Sequence, residues 1–177
     1  TNKIALIGAQ ISAHPHFHDV CRYIYDKVQG GQNIEMSVSS LRVDAITPDV
    51  VKTLVATGQK NSTLAIEAGS ERLRKVINKN LTEEQIFNAV KIARDNGLKG
   101  FKFYGMIGIP TETQEDLEAI VELAKRVKKE NKGFDISFGF SSFVPKPHTP
   151  FQWSGREDSK SLEKKSAYLL KELRKIG

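Results

Sequence analysis

The chain has 177 residues, 39% of them hydrophobic and 27% charged, with 27 Lys+Arg against 21 Asp+Glu. This is too apolar for a disordered chain, and the length suits a single domain over 1–177 with a sizeable core. One cysteine excludes an intramolecular disulfide framework, a four-cysteine zinc site and a self-contained iron–sulfur cluster.

The longest apolar runs, such as 4–9, fall far short of a membrane span, so a soluble, cytoplasmic protein is expected. The net charge of +6 lies within what solubility requires, and bases alternate with acids along helical stretches such as 125–130. Nucleic acid is compatible with this charge but not supported by it.

In chain order, apolar runs at 4–7, 34–41, 63–66, 101–109 and 134–144 predict strands. Helices are predicted at 16–29, 47–57, 70–78, 82–96, 113–131 and 158–175. Thr47 followed by Pro48 reads as a cap with proline in the first turn, and Gly58 closes that helix. Thr82 with Gln85 reads as a capping box, Ile86, Ala89, Val90 and Ala93 form one face, and Gly97 is the stop. Leu117, Ile120, Val121, Ala124 and Val127 form the next apolar stripe. Strands alternating with such helices imply parallel βαβ units. Each unit takes roughly 30 residues, and a complete eight-fold barrel about 250, so an open α/β sheet or an incomplete barrel is expected.

Ligands of parallel α/β folds bind at the carboxyl ends of the strands. Those ends fall at 8–18, 39–44, 67–70, 108–113 and 145–153, all rich in Gly, Ser, His, Arg, Glu and Pro. Glu67 ends a buried strand, and Ser70 is placed to cap the short helix carrying Arg72, Arg74 and Lys75. The competing structural reading pairs Glu67 with one of these arginines. The 108–113 turn, taken by itself, reads as a tight loop made rigid by Pro110 with Thr113 as helix cap. His14, His16 and His18 alternate as strand ligands would, but Pro15 interrupts them and no metal site is expected. Cys21, among Val20, Ile24 and Val28, reads as a buried structural thiol.

Five segments in order resemble the radical S-adenosylmethionine (radical SAM) superfamily: KIALIGAQISAHP, EMSVSSLRVD, AIEAGSERLRKVINKNLTEE, KFYGMIGIPTETQED and SSFVPKPHTPFQW. The likeness runs from residue 3 to about 153 and is nearest to a subgroup often accompanied by a cobalamin-type domain. It implies a partial (β/α)6 barrel of TIM-like kind, of which this chain carries strands two to six and a C-terminal helix. The first strand and its C-x3-C-x2-C cluster loop are missing, so the resemblance implies a fragment that partners the N-terminal portion of its own protein. Full-length members use S-adenosylmethionine and a 4Fe–4S cluster to generate a radical that abstracts hydrogen. The fragment itself is expected to hold neither stably.

By resemblance, Gly8 meets the methionyl amino group, with Ser39, Ser40 and Arg42 beside it. Glu67 faces the ribose, and Lys79, twelve residues on, meets the methionyl carboxylate. Tyr104, Ile107 and Gly108 flank ribose and adenine, although many relatives carry an acid where Tyr104 stands. Lys146, His148, Gln152 and Trp153 face the substrate. The strand over 3–8, stripped of its family neighbour, is expected to seek an edge partner, most simply in a homo-oligomer. The alternative function is a non-catalytic module that binds RNA or protein on a degenerate scaffold.

Overall fold

The computed structural model describes residues 2–177. Among them strands and helices alternate as β1 (Lys3–Leu6), α1 (Phe17–Gln29), β2 (Glu35–Val38), α2 (Pro48–Ala56) and β3 (Asn61–Glu67). There follow α3 (Glu71–Val76), α4 (Glu83–Asp95), β4 (Gly100–Ile107), α5 (Gln114–Glu130), β5 (Asp135–Ser142) and α6 (Ser159–Arg174). All predicted strands and helices are present. Local chemistry sets the helix starts: the Val50 amide donates to Thr47 at 3.4 Å, and Thr82 and Gln85 form the reciprocal capping box.

All strand pairs are parallel. β1 pairs with β2 from Lys3–Glu35 to Leu6–Val38, and β4 lies between β3 and β5. The two sets meet at Leu41, whose amide donates to the Thr63 carbonyl at 2.9 Å. Spatial order therefore follows chain order, as in a barrel wall and unlike a doubly wound sheet, whose order reverses at a switch point. The architecture is a partial parallel barrel.

Each strand divides its residues by alternation. One face, carrying Met36, Leu64, Ile66, Phe101 and Phe103, is buried against Ile24, Val50, Leu54, Val90 and Val127 of the helices. A second apolar cluster joins Ile107 to Ile120 of α5 and Leu162 of α6. The other face carries Ser37, Thr63, Ala65, Tyr104, Gly139 and Ser141, small or polar for the most part and at least partly exposed. The helix face holds the fold together, each fully buried Leu, Ile or Phe contributing about 1.5–3 kcal/mol. No helix of the described residues is long and apolar enough to cross a membrane.

Candidate S-adenosylmethionine site

The carboxyl end of β3 is irregular. Ala65 pairs with Tyr104 and Glu67 with Gly105, leaving Ile66 as an extra residue in a β-bulge. Glu67 lies in the left-handed region at φ 66°, a conformation that costs a non-glycine residue about 1–3 kcal/mol. Gly105 accommodates the bulge: a Cβ there would lie 3.2 Å from the Glu67 carbonyl oxygen and from the Phe140 ring. Ile66 keeps the core side of the alternation at 1% exposure, and Glu67 beyond it lines a cavity of about 910 Å³.

Lys79 closes on Glu67 from the segment between α3 and α4. Its Nζ is 3.3 Å from Glu67 Oε1, and the two side chains remain 27% and 24% exposed. The ammonium keeps further donors and the carboxylate further acceptor positions for a ligand. Glu67 thus pairs with a lysine and not with the arginines that follow it, because those are engaged elsewhere. Arg72 donates to the Thr111 carbonyl at 2.8 Å and contacts Asp116.

Arg74 is wholly buried. Its Nε donates to the Leu81 carbonyl at 2.8 Å, and its Nη1 to the Ala68 and Gly69 carbonyls at 2.8 and 2.9 Å. Burial pulls its pKa down and the charges of Glu71 and Glu83 oppose the fall.

Two buried carboxylates lock the neighbouring loops. Asp116 accepts from Ser70, from Arg72 and, at 2.8 Å, from the Thr113 amide. Burial pushes its pKa up, but the hydrogen bonds from Arg72, Ser70 and Thr113 together hold it below the usual carboxylate range. Ser70 caps α3 as expected, accepting from the Leu73 amide at 3.0 Å. Glu112 accepts from the Gly108 amide at 2.8 Å and from Lys165 at 2.7 Å, and Lys165 also donates to Glu157 at 2.6 Å.

Of the predicted residues, Arg42, Glu67, Lys79 and Lys146 line the cavity together. Arg42 forks onto Asp44 through Nε and Nη2 at 2.8 and 2.6 Å, and its amide donates to Ser12 at 3.1 Å. Ser39 and Ser40 are exposed just beyond β2, Gly8 is exposed just beyond β1, and Tyr104 is half-exposed on the concave face. None of these four lines the cavity.

Ile107 points into the helix-face core, so its side chain faces away from the cavity. Gly108, at φ 78°, is a glycine for packing: a Cβ there would lie 2.6 Å from Leu162 of α6. His148 and Gln152 bond one another, amide to Oε1 at 3.2 Å, and Trp153 is 89% exposed; the three lie outside the cavity lining.

The histidines are not on a strand. They fall in the turn before α1 and its first residues, with His16 Nδ1 3.2 Å from Asp19. Among the described residues no group of three His, Cys, Asp or Glu is placed to hold a metal. Cys21 is buried, and desolvation pushes its thiol up to about 11. Sequence reasoning did not single out Arg74 or Asp116, because an arginine in a helix's last turn and an aspartate in a first turn ordinarily face solvent.

The description "Radical SAM superfamily" matches residues 1–124. The chain belongs to the radical SAM superfamily. An uncharacterized protein of Methanocaldococcus jannaschii is 39% identical over 176 residues, 99% of this chain and 37% of that protein. A tRNA-2-methylthio-N(6)-dimethylallyladenosine synthase of Aquifex aeolicus is 26% identical over 72% of this chain and 28% of its own length. The chain therefore spans about a third of these curated relatives. Among solved structures, the radical S-adenosylmethionine methyltransferase TsrM of Kitasatospora setae, with cobalamin and a 4Fe–4S cluster bound, superposes with a TM-score of 0.65. The two are 17% identical, over 84% of this chain and 29% of that one.

Radical SAM proteins of full length use S-adenosylmethionine and a 4Fe–4S cluster, and the two fit this chain differently. The cavity offers an acceptor, Glu67, and a cation, Lys79, to a ligand that carries hydroxyls and a carboxylate. The cluster needs thiolates, and the single thiol here is buried in α1 with its pKa raised. The residues present fit the first group and not the second.

Proposed function

We propose that this chain forms the S-adenosylmethionine-binding and substrate-facing part of a radical SAM oxidoreductase or transferase. The observation that carries this reading is the partly exposed Glu67–Lys79 pair in the cavity at the strand ends. When bound, S-adenosylmethionine supplies a sulfonium whose reductive cleavage initiates hydrogen abstraction. Glu67 accepts from the ribose hydroxyls, and Lys79 pairs with the methionyl carboxylate. Arg42, in the cavity lining, bounds the methionyl end; Ser39 and Ser40 at that end, and Tyr104 with the main chain at Ile107 and Gly108 at the nucleoside end, lie outside the lining and are assigned by resemblance alone. Lys146, which also lines the cavity, faces the substrate. Cluster ligands come from another part of the protein, so the chain by itself is inactive as a radical enzyme. A cobalamin-type domain belongs to the same reading, supported by the likeness to a structure that holds cobalamin.

Calorimetric titration of the full-length protein with S-adenosylmethionine tests this assignment. Charge-assisted contacts contribute about 1.5–3 kcal/mol each, so Glu67→Gln or Lys79→Met should weaken binding roughly ten- to a hundred-fold with folding intact. Undiminished affinity in both variants would overturn the assignment.

A further inference from the structure

Glu67 and Lys79 belong to different segments and meet at 3.3 Å with both side chains partly exposed. Glu67 sits in a left-handed conformation at the end of a bulge, and Lys79 lies in the loop between α3 and α4, just beyond Asn78, itself left-handed at φ 55°. Such conformations persist only where the surroundings impose them. Arg74 lies between the two in sequence and touches the flanks of both. Its guanidinium holds the Ala68 and Gly69 carbonyls, immediately after Glu67, and the Leu81 carbonyl, two residues after Lys79. Its own carbonyl accepts from the Lys79 amide at 2.8 Å.

We propose that Arg74 is a positioning residue for S-adenosylmethionine: its buried guanidinium ties the 67–69 and 79–81 segments into one frame and presents Glu67 and Lys79 together before the ligand arrives. The inference rests on the reading of those two residues as ligand contacts. The fork geometry is what the task requires. Nitrogens diverging from a rigid plane reach carbonyls of two segments at once, whereas an ammonium is a point charge on a flexible stem. Arg74 makes this frame without ion-pairing in the cavity. Its Nη2 has no hydrogen-bond partner among the described residues, an uncommon state for a buried donor. An apolar side chain at 74 would remove that orphan donor but leave three carbonyls unpaired in its place. A fit to main-chain carbonyls is thus a stronger reason for arginine here than charge.

The test uses Arg74→Lys in the full-length protein, read by calorimetric affinity for S-adenosylmethionine and by urea unfolding. Misalignment of the pair should weaken binding about tenfold. Combined with Glu67→Gln, the loss should be well short of the product of the two single losses, because Arg74 acts through Glu67. Wild-type affinity in Arg74→Lys, with Glu67→Gln impaired, would overturn the positioning role and leave the site standing. Fully multiplicative losses would also overturn it, since they mark a general loosening of the fold. Unchanged binding in both Glu67→Gln and Lys79→Met would remove the site itself, and the inference with it. Should Arg74→Lys not fold, hydrogen exchange on the native protein without ligand decides. A frame made in advance requires the Lys79 and Ala68 amides to be protected nearly as well as the core strands. Exchange as fast as that of the 145–153 loop would overturn it.

Discussion

Two parts of the barrel mouth both offer polar side chains and are built in opposite ways. The segment from Glu67 to Leu81 is polar, and its key polar groups are directed by other parts of the fold: buried Arg74 binds three carbonyls, and Ser70 and Arg72 converge on Asp116. The 145–153 loop is also polar, but its side chains serve themselves. Gln152 accepts from the His148 amide, Thr149 donates to the Lys146 carbonyl, and Trp153 faces water. A ligand site needs side chains held by something other than the ligand, and only the first segment supplies this.

Removing a lock from the first segment should have the largest effect. Asp116→Asn removes a buried carboxylate from donors on three residues, Ser70, Arg72 and Thr113, and should cost about 1.5–3 kcal/mol in urea unfolding at neutral pH. The sign of its pH dependence follows from a folded-state pKa below the ordinary carboxylate value. The contribution is present above the unfolded pKa, near 4, and is lost as pH falls through the folded value. The gap between wild type and variant should therefore close on acidification below about pH 4. A gap that stays constant down to pH 2 would show that folding does not depress the Asp116 pKa.

A smaller and more revealing change is Glu67→Gly. Glycine takes the left-handed conformation without strain but loses more chain entropy, so stability should change by no more than about 1 kcal/mol. Affinity for S-adenosylmethionine should nevertheless fall as in Glu67→Gln. Equal losses of stability and affinity would place Glu67 in the fold and not in the site.

The smallest effect belongs to the other region. Trp153→Ala, at a side chain 89% exposed, should leave the unfolding free energy within about 0.5 kcal/mol of wild type. A larger loss would mean that the 145–153 loop is held more firmly than its exposure indicates.

What was legible in the sequence is what depends on neighbours a few residues away. The Thr82–Gln85 box, the Thr47 cap before Pro48 and the stripe of Leu117, Ile120 and Val121 are local or periodic, and each is found in place. Glu67 and Lys79 were readable through resemblance, and the fold brings them together over twelve residues of chain. Arg74 and Asp116 were not readable, because burial of a charge is decided by carbonyls and donors contributed by other segments. Gly108 was placed by resemblance beside ribose and adenine. Its φ of 78° and the nearness of Leu162 give it a packing reason set by α6, some fifty residues away.

The alternation along the strands has a consequence for how such a wall can change over time. Odd and even positions answer to different demands, Leu64, Ile66, Phe101 and Phe103 to the helices, and Thr63, Ala65, Tyr104 and Ser141 to whatever enters the barrel. A substitution on the concave side leaves the helix contacts untouched, while a shift of register by one residue would exchange the two sets and ruin both. The wall is therefore a two-sided text: one side is fixed by the need to fold, and the other can be rewritten one residue at a time without unmaking it.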